Sequence, residues 1–278
     1  MQHQPFSVYT SVYKNDDAAF VDRALESITD KQTVKPNEVV LVVDGPISEE
    51  VNKVVEKYSK RKEFKIIRLK ENVGHGGALK LSSENCSYDL IAKMDADDVS
   101  SPERFEKLLS FLEKNPDVDV VGGNISEFID SEDNVVAYRN VPTTDSDIKK
   151  YLKKRCPMNH VTIMMKKESM LKAGGYLHWF CDEDYYLWIR MFLNKANFAN
   201  IDETLVNVRI GKEMYGRRGG KEYFRSEKKL QKFMLKNKII GRFTYFSNVT
   251  KRFIVQRLLP NSIRGFVFRK LARSNKKK

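Results

Sequence analysis

Three aspartates, Asp95, Asp97 and Asp98, crowd into four positions of "IAKMDADDVSSPER", directly after an apolar run that begins at Leu90. Like charges this close raise one another's pKa unless something positive sits among them. The cluster is therefore either a solvated turn with a helix cap or the seat of a cation. Hard carboxylate oxygens at i and i+2 suit Mg2+ or Mn2+, which take few protein ligands and complete their shells with phosphate oxygens. Capping needs only one residue, Asp98 or Ser101, so a metal–diphosphate site accounts for more of the cluster. A second acidic group, Asp182, Glu183 and Asp184 in "CDEDYYLW", precedes a helical pattern. A helix start favours negative charge and also lets a carboxylate point into a cleft. "MYGRRGG" sets Arg217 and Arg218 among glycines. Guanidinium forks bind phosphate through paired hydrogen bonds, with an exposed basic turn as the alternative for one of the two.

The elements that would position these groups follow from periodicity. Short apolar runs at 6–13, 38–45, 64–69, 89–94 and 117–124 read as strands. Between them lie helical patterns near Ala18–Ile28, at 48–61 with Ser48 as cap, at 75–86, and through Lys114 after Pro102. This β-α-β-α rhythm implies an α/β fold with a mostly parallel sheet and helices on both faces. In open α/β sheets, ligands bind beyond the carboxyl ends of the strands. Asp44 follows the second strand, Asn72 and Gly74 the third, and the aspartate triplet the fourth. Alone, Asp44-Gly45-Pro46 reads as a turn and Gly74-His75-Gly76-Gly77 as a flexible helix entry. Together, three strand ends converge on one crevice.

The segments "SVYTSVYKND", "VVLVVDGP", "RLKENVGHGGAL", "AKMDADDVSSPERFEKLL", "MNHVTIMMKKESMLKAGGY" and "DEDYYLWIRM" resemble, in order and spacing over roughly residues 5–225, the family 2 glycosyltransferases. The likeness is greatest to bacterial enzymes that assemble capsular polysaccharide, exopolysaccharide or O-antigen repeat units. The resemblance implies a GT-A fold, a Rossmann-like sheet flanked by helices, and an inverting, Mn2+- or Mg2+-dependent transfer from a nucleotide-sugar, a UDP-sugar. It implies that Ser11 and Tyr13 line the nucleobase pocket and that Asp44 accepts a hydrogen bond from the base. Asn72 and Gly74 would approach the nucleotide. Asp97 would ligate the metal, with Asp95 nearer the ribose or sugar, and Asp98 is left without a separate role. Asp184 is the expected general base, with Glu183 second and Asp182 third. An inverting displacement needs its base on the side of the sugar opposite the leaving diphosphate. Arg217 and Arg218 would fold over the diphosphate. The segment 157–167 is expected to be a strand on the acceptor side with Asn159 and His160 at its mouth, His160 in a binding role. Trp179 could stack on a sugar ring, whereas Trp188, inside a helical pattern, is expected to pack.

Charge is unevenly spread. The net +13 divides into −6 over the first 208 residues and +19 from Arg209 to the end. Such a tail seeks phosphate on nucleic acid or on an anionic membrane. Residues 239–258 place apolar and aromatic side chains at helical intervals among Lys and Arg, as an interfacial helix does; ordinary packing on the catalytic domain is the alternative for 226–250. A membrane surface agrees with an acceptor saccharide on a polyprenyl diphosphate. A nucleic-acid-binding protein is the rival reading, but no zinc pattern or RNA-recognition motif accompanies the basic tail. A nucleotidyltransferase is the enzyme rival, and its usual glycine-rich N-terminal loop is missing from "TSVYKNDD". The expected domains are a catalytic unit over 1–225, its nucleotide half about 1–124 and acceptor half about 125–225, and a basic amphipathic helical tail over 226–278. Cys86, Cys156 and Cys181 lack metal-site spacing and read as free thiols. Without a secretory signal pattern or a run of ~18 apolar residues, the chain is expected to be cytoplasmic and peripheral at the inner face of the membrane.

Overall fold

The computed structural model describes residues 3–211, 219–260 and 273–274. Its centre is a sheet built from β1 (Phe6–Val12), β2 (Glu38–Val43), β3 (Phe64–Arg68), β4 (Leu90–Lys93), β5 (Val99–Ser100), β6 (Val120–Phe128), β7 (Val135–Arg139), β8 (Met164–Lys166) and β9 (Phe198–Arg209). The strand order is β3-β2-β1-β4-β8-β6-β9-β5, with β7 paired to β6 off this path. The β3-β2-β1-β4 half is parallel throughout. β8 runs antiparallel to both β4 and β6, and β6 pairs in parallel with β9. The expected α/β sheet is thus present, with the reversed β8 joining its two parallel parts and β5 and β7 also pairing antiparallel to their neighbours.

Burial follows the two-residue alternation of strands. Val39 and Leu41 of β2 belong to one core, with Leu25, Val55, Phe105 and Leu109 from α1 (Ala18–Ser27), α2 (Glu49–Ser59) and α4 (Arg104–Lys114). Val40, between them, points into the other core with Ile91, Trp188 and Met191. Ser48 caps α2 by accepting from Val51 N at 3.2 Å. Asp17 caps α1 by accepting from Ala19 N and Phe20 N. The second core is closed by α3 (His75–Glu84), α5 (Asp145–Leu152), α6 (Lys167–Lys172) and α7 (Glu183–Leu193). Trp188 is fully buried there, as expected.

The segment 157–167 departs from the expected single strand. A 3-10 turn at His160–Thr162 precedes the three-residue β8. Side-chain hydrogen bonds hold that turn: Thr162 Oγ1 donates to Asn159 O at 2.7 Å and accepts from Gly123 N, while Asn159 Nδ2 donates to Gly123 O. Local bonds of this kind compete with a β ladder.

At the C-terminal side, α8 (Gly220–Lys236) runs through the expected boundary at 225/226 and buries Leu230 and Met234 in the second core. The packing alternative therefore holds for this helix. α9 (Arg242–Phe253) differs: Asn248 is its buried residue, and Phe243 and Phe246 are 88% and 65% exposed. A π-helical turn, Ile254–Leu258, follows. Among the described residues, no helix is long and apolar enough to cross a membrane.

Candidate functional site

The carboxyl ends of β1 to β4 open into a cleft of about 800 Å³ whose lining includes Ser11, Tyr13, Asp44, Asn72, Gly74, Asp95 and Asp97. Every residue expected near the nucleotide or metal that the structure describes is brought to this one cleft. Asp44 organises its wall. Its Oδ2 accepts from Asn72 Nδ2 at 2.9 Å and its Oδ1 from Val73 N at 2.7 Å, which fixes the loop before α3. That loop crosses Gly45 so closely that an added Cβ would lie 2.7 Å from Asn72 N, and Gly45 has a φ of +83°, so only glycine fits without strain. Gly74, at φ +80°, turns the chain into α3.

The aspartate triplet lies just past β4, in a turn rather than in continued extended chain. Its repulsion is answered from inside the protein. Lys93, the last residue of β4, has a side chain 1% exposed and places Nζ 2.6 Å from Asp95 Oδ1. The buried Arg104 guanidinium donates to Lys93 O at 2.6 Å and contacts Met94 Sδ beneath the same turn. Burial opposes charge on Asp95, but Lys93, aided by His75 and His160, overrides it and holds the carboxyl well below the usual range. Asp97 opens onto the cleft, where partial loss of water, and then the field of Asp95, raises its carboxyl. Asp98 is 4% exposed and raised further, by burial and then by Asp97 and Asp95. It accepts Arg209 N at 2.9 Å, so its task is to tie the end of β9 to the aspartate turn.

Arg209 also donates to Asp97 O and Asp130 O, with its guanidinium 3.7 Å from the centroid of the Phe20 ring. It adds a cation to the cleft lining. Asp16 lines the cleft as well; burial pushes its carboxyl up to about 6 against the Tyr13 N–H bond, with Asp97 and Asp95 adding to the rise. Neither residue stood out in the sequence. Asp16 sits in a plain polar stretch, and Arg209 reaches the site only through the non-local pairing of β9. His75 was visible only as part of the glycine-rich helix entry.

The second acidic group opens α7. Glu183 packs against the first turn of α3, its Cγ 3.2 Å from where a Cβ on Gly76 would lie. Asp184 Oδ2 is 3.5 Å from the Cys156 thiol. Asp182 accepts from Ser226 Oγ of α8 at 3.4 Å. Burial, then the field of Asp184, pushes Asp182 up to about 7; Arg252 opposes this and Glu183 adds to it. Burial also lifts Glu183 to about 7, against its own backbone hydrogen bond and with the Asp184 field. Each pKa unit is about 1.4 kcal/mol, so burial outweighs the ~0.3–1 kcal/mol a helix dipole offers.

A short hydrogen-bonded chain lies within the electrostatic field of both acidic groups. Tyr9 and Tyr176 hydroxyls are 2.7 Å apart, and His160 Nε2 lies 2.6 Å from Tyr176 Oη. Desolvation pushes His160 down to about 4 despite Asp184, so its ring is neutral near pH 7. His75, His160 and Tyr176 each feel both Asp95 and Asp184. Asn159, 2% exposed, is occupied with Gly123 O and Arg139 O. Trp179 is 8% exposed, packed at a tilt against Tyr186 with ring centroids 4.2 Å apart, and covered by Lys229 Nζ. Little of that ring is left to meet a sugar; aromatic packing has claimed it. Arg217 and Arg218 lie outside the described residues.

Asp97 and Asp95 fit a hard divalent ion by donor type and by position at the cleft. Among the described residues, no group of three or more His, Cys, Asp and Glu side chains is arranged to hold a metal. An ion shared with a diphosphate requires only one or two carboxylates.

Residues 7–176 match the family model for glycosyl transferase family 2. The chain is 36% identical over 268 residues to an Escherichia coli UDP-Gal:alpha-D-GlcNAc-diphosphoundecaprenol beta-1,3-galactosyltransferase, covering 96% of each. It is 33% identical over 268 residues to the amylovoran biosynthesis glycosyltransferase AmsE of Erwinia amylovora, covering 95% of this chain and 98% of that one. Among solved structures, S. aureus TarS 1–349 in complex with UDP-GlcNAc superposes with a TM-score of 0.67 at 16% identity, over 94% of this chain and 78% of that one. The mannosyltransferase PcManGT of Pyrobaculum calidifontis, in complex with GDP-Man and Mn2+, gives 0.62 at 14% identity, over 98% and 77%.

Proposed function

Because the chain belongs to glycosyl transferase family 2 and has the GT-A fold, we propose that it moves a sugar from a UDP-sugar, with inversion, onto a hydroxyl of a saccharide carried on a polyprenyl diphosphate. The observation that carries this reading is the convergence of Ser11, Tyr13, Asp44, Asn72, Gly74, Asp95 and Asp97 on one cleft, with Glu183 of the second carboxylate group packed against Gly76 at the start of α3. The activity of the Escherichia coli relative supports the donor and the lipid-diphosphate acceptor. The polysaccharide role of the Erwinia relative supports surface-polymer synthesis.

Tyr13, 39% exposed at the end of β1, and Ser11 receive the base, with Asp44 accepting a hydrogen bond from it while it holds the 72–74 loop. Asp95 meets the ribose or sugar hydroxyls. Asp97 would hold Mn2+ or Mg2+, with Asp95 beside it; the ion would neutralise charge on the departing diphosphate as a Lewis acid. Arg217 and Arg218 complete the diphosphate contacts. Asp184 takes the proton from the acceptor hydroxyl as that oxygen attacks the anomeric carbon, and Glu183 stands second for this role. Asn159, His160 and Asp182 shape the acceptor side, and Trp179 borders it.

The exposed Phe243, Phe246 and Leu258, with Arg242, Lys251 and Arg257 near them, fit an anionic membrane surface at which a polyprenyl acceptor resides. Thermal shifts with UDP-, GDP- and ADP-sugars plus Mn2+, followed by donor hydrolysis, test the donor assignment. Selective stabilisation by a UDP-sugar is expected; stabilisation by none of these donors would remove the reading.

A further inference from the structure

Lys93 is the least expected member of the site. It ends a strand whose four residues are all buried, and its own side chain is 1% exposed. Apolar residues fill such a position at lower cost than an ammonium does. The ammonium is nonetheless fully employed. It donates to Asp95 Oδ1 at 2.6 Å and to Met94 O, and it stands 5.9 Å from the centroid of the Tyr9 ring. Arg104, from α4, anchors the Lys93 carbonyl from below, so the backbone carrying the ammonium is itself fixed. The two aspartates of the pair are therefore in different situations. Asp95 Oδ1 already has a cation in contact, whereas Asp97 stands exposed in the cleft.

We propose that Lys93 is a positioning residue that divides the work of this pair, tying Asp95 to the protein so that it serves the donor's hydroxyls and leaving Asp97 as the carboxylate that engages the divalent ion. The division rests on the nucleotide-sugar reading above and deepens it. A divalent ion placed on Asp95 Oδ1 would lie within a few ångströms of the ammonium and be repelled by it; the lysine side chain is 1% exposed, so water screens that repulsion only from the side of Asp95, which is 36% exposed. Two carboxylates with no such clamp would compete for the ion and bind it tightly in the absence of nucleotide. With the clamp, the free protein presents one unencumbered carboxylate, and tight binding of the ion awaits the diphosphate oxygens.

The test is Mn2+ titration of the full chain, followed by electron paramagnetic resonance with and without UDP, on wild type, Lys93→Met, Lys93→Arg, Asp95→Asn, Asp97→Asn and the Lys93→Met/Asp95→Asn pair. Without nucleotide, Lys93→Met should bind Mn2+ at least ~5-fold more tightly, because Asp95 is released to the ion. Its KM for the donor should rise by ~10-fold or more, with kcat falling less, because Asp95 is no longer aimed at the sugar. Lys93→Arg should restore both. Adding Asp95→Asn should abolish the gain in Mn2+ affinity, a coupling that a merely structural role for the lysine would not produce. Unchanged or weaker Mn2+ binding in folded Lys93→Met would overturn the division. Should Lys93→Met not fold, the single aspartate variants decide: Asp95→Asn within about twofold of wild type and Asp97→Asn losing the ion supports it, and equal losses overturn it. If wild type binds neither UDP nor Mn2+ with UDP, the nucleotide-sugar reading falls and the division with it.

Discussion

Two acidic triplets, one just past β4 and one at the start of α7, are built differently. Asp95, Asp97 and Asp98 rest on two buried cations, Lys93 and Arg104, with a backbone N–H from Arg209. Asp182, Glu183 and Asp184 rest on apolar packing and a helix start, with Arg252, itself paired to Glu227, opposing the rise of Asp182. The difference is visible in the acids themselves. Asp95 is held ionised well below the usual range, whereas Asp182 and Glu183 are pushed up to about 7. Within the first triplet the contact with Lys93 singles out Asp95, while Asp97 and Asp98 are raised by desolvation and by their neighbours; a carboxylate held ionised in this way suits a donor site. Raised carboxyls at Asp182 and Glu183 suit proton traffic, as the acceptor side requires.

The largest way to break this comparison is Asp184→Asn. Loss of a general base costs about 10²–10⁴-fold in turnover, and transfer should fall by that factor in a radiolabelled-sugar assay. Retained transfer would remove Asp184 from the role. Asp97→Ala should come next, with a loss of ~10²-fold or more that added Mn2+ does not restore, since Lewis-acid stabilisation is worth several kcal/mol. Full recovery in high Mn2+ would count against Asp97 as ligand.

The third prediction concerns protons and stability. A carboxyl at about 7 in the folded chain and about 4 unfolded keeps its proton longer in the native state. Its contribution is full below the unfolded pKa and is lost as pH rises through about 7. Asp182→Asn should therefore raise Tm at pH 8 and flatten its dependence between pH 5 and 8, with each ~1 kcal/mol worth about 2–4 °C. A parallel, unshifted curve would show that Asp182 is ionised in the native state. The smallest expected effect is on the surface: Phe243→Ser with Phe246→Ser should weaken co-sedimentation with anionic vesicles several-fold, well short of the ~1.5–3 kcal/mol that full burial of each aromatic is worth, and should leave donor hydrolysis intact. Unchanged sedimentation would argue that α9 meets something other than lipid.

The sequence made the donor cleft legible because parallel strands announce themselves. Continuous apolar runs ended in Asp44, Asn72 and Asp95, and the fold brings those ends together. The counter-ions were harder to read. Lys93 lies inside an apolar run and Arg104 inside a surface-looking helix, and nothing local marks either as buried. Arg209 comes from β9, whose parallel pairing with β6 joins residues about eighty apart. The acceptor side suffered most. Turn-forming bonds of Asn159 and Thr162 broke the expected strand, and Trp179 turned inward because Tyr186 and Lys229 lay at hand. Such contacts depend on which helix arrives, which periodicity does not tell.

The central claim is that one triplet holds the donor while the other moves the proton. Calorimetric titration of UDP with Mn2+ into Asp97→Ala and Asp184→Asn, side by side, separates the two tasks. The account predicts binding within about threefold of wild type for Asp184→Asn and a loss of ~30-fold or more for Asp97→Ala, since ~2 kcal/mol of diphosphate–ion contact goes with the ligand. Weak binding in Asp184→Asn with intact binding in Asp97→Ala would contradict it.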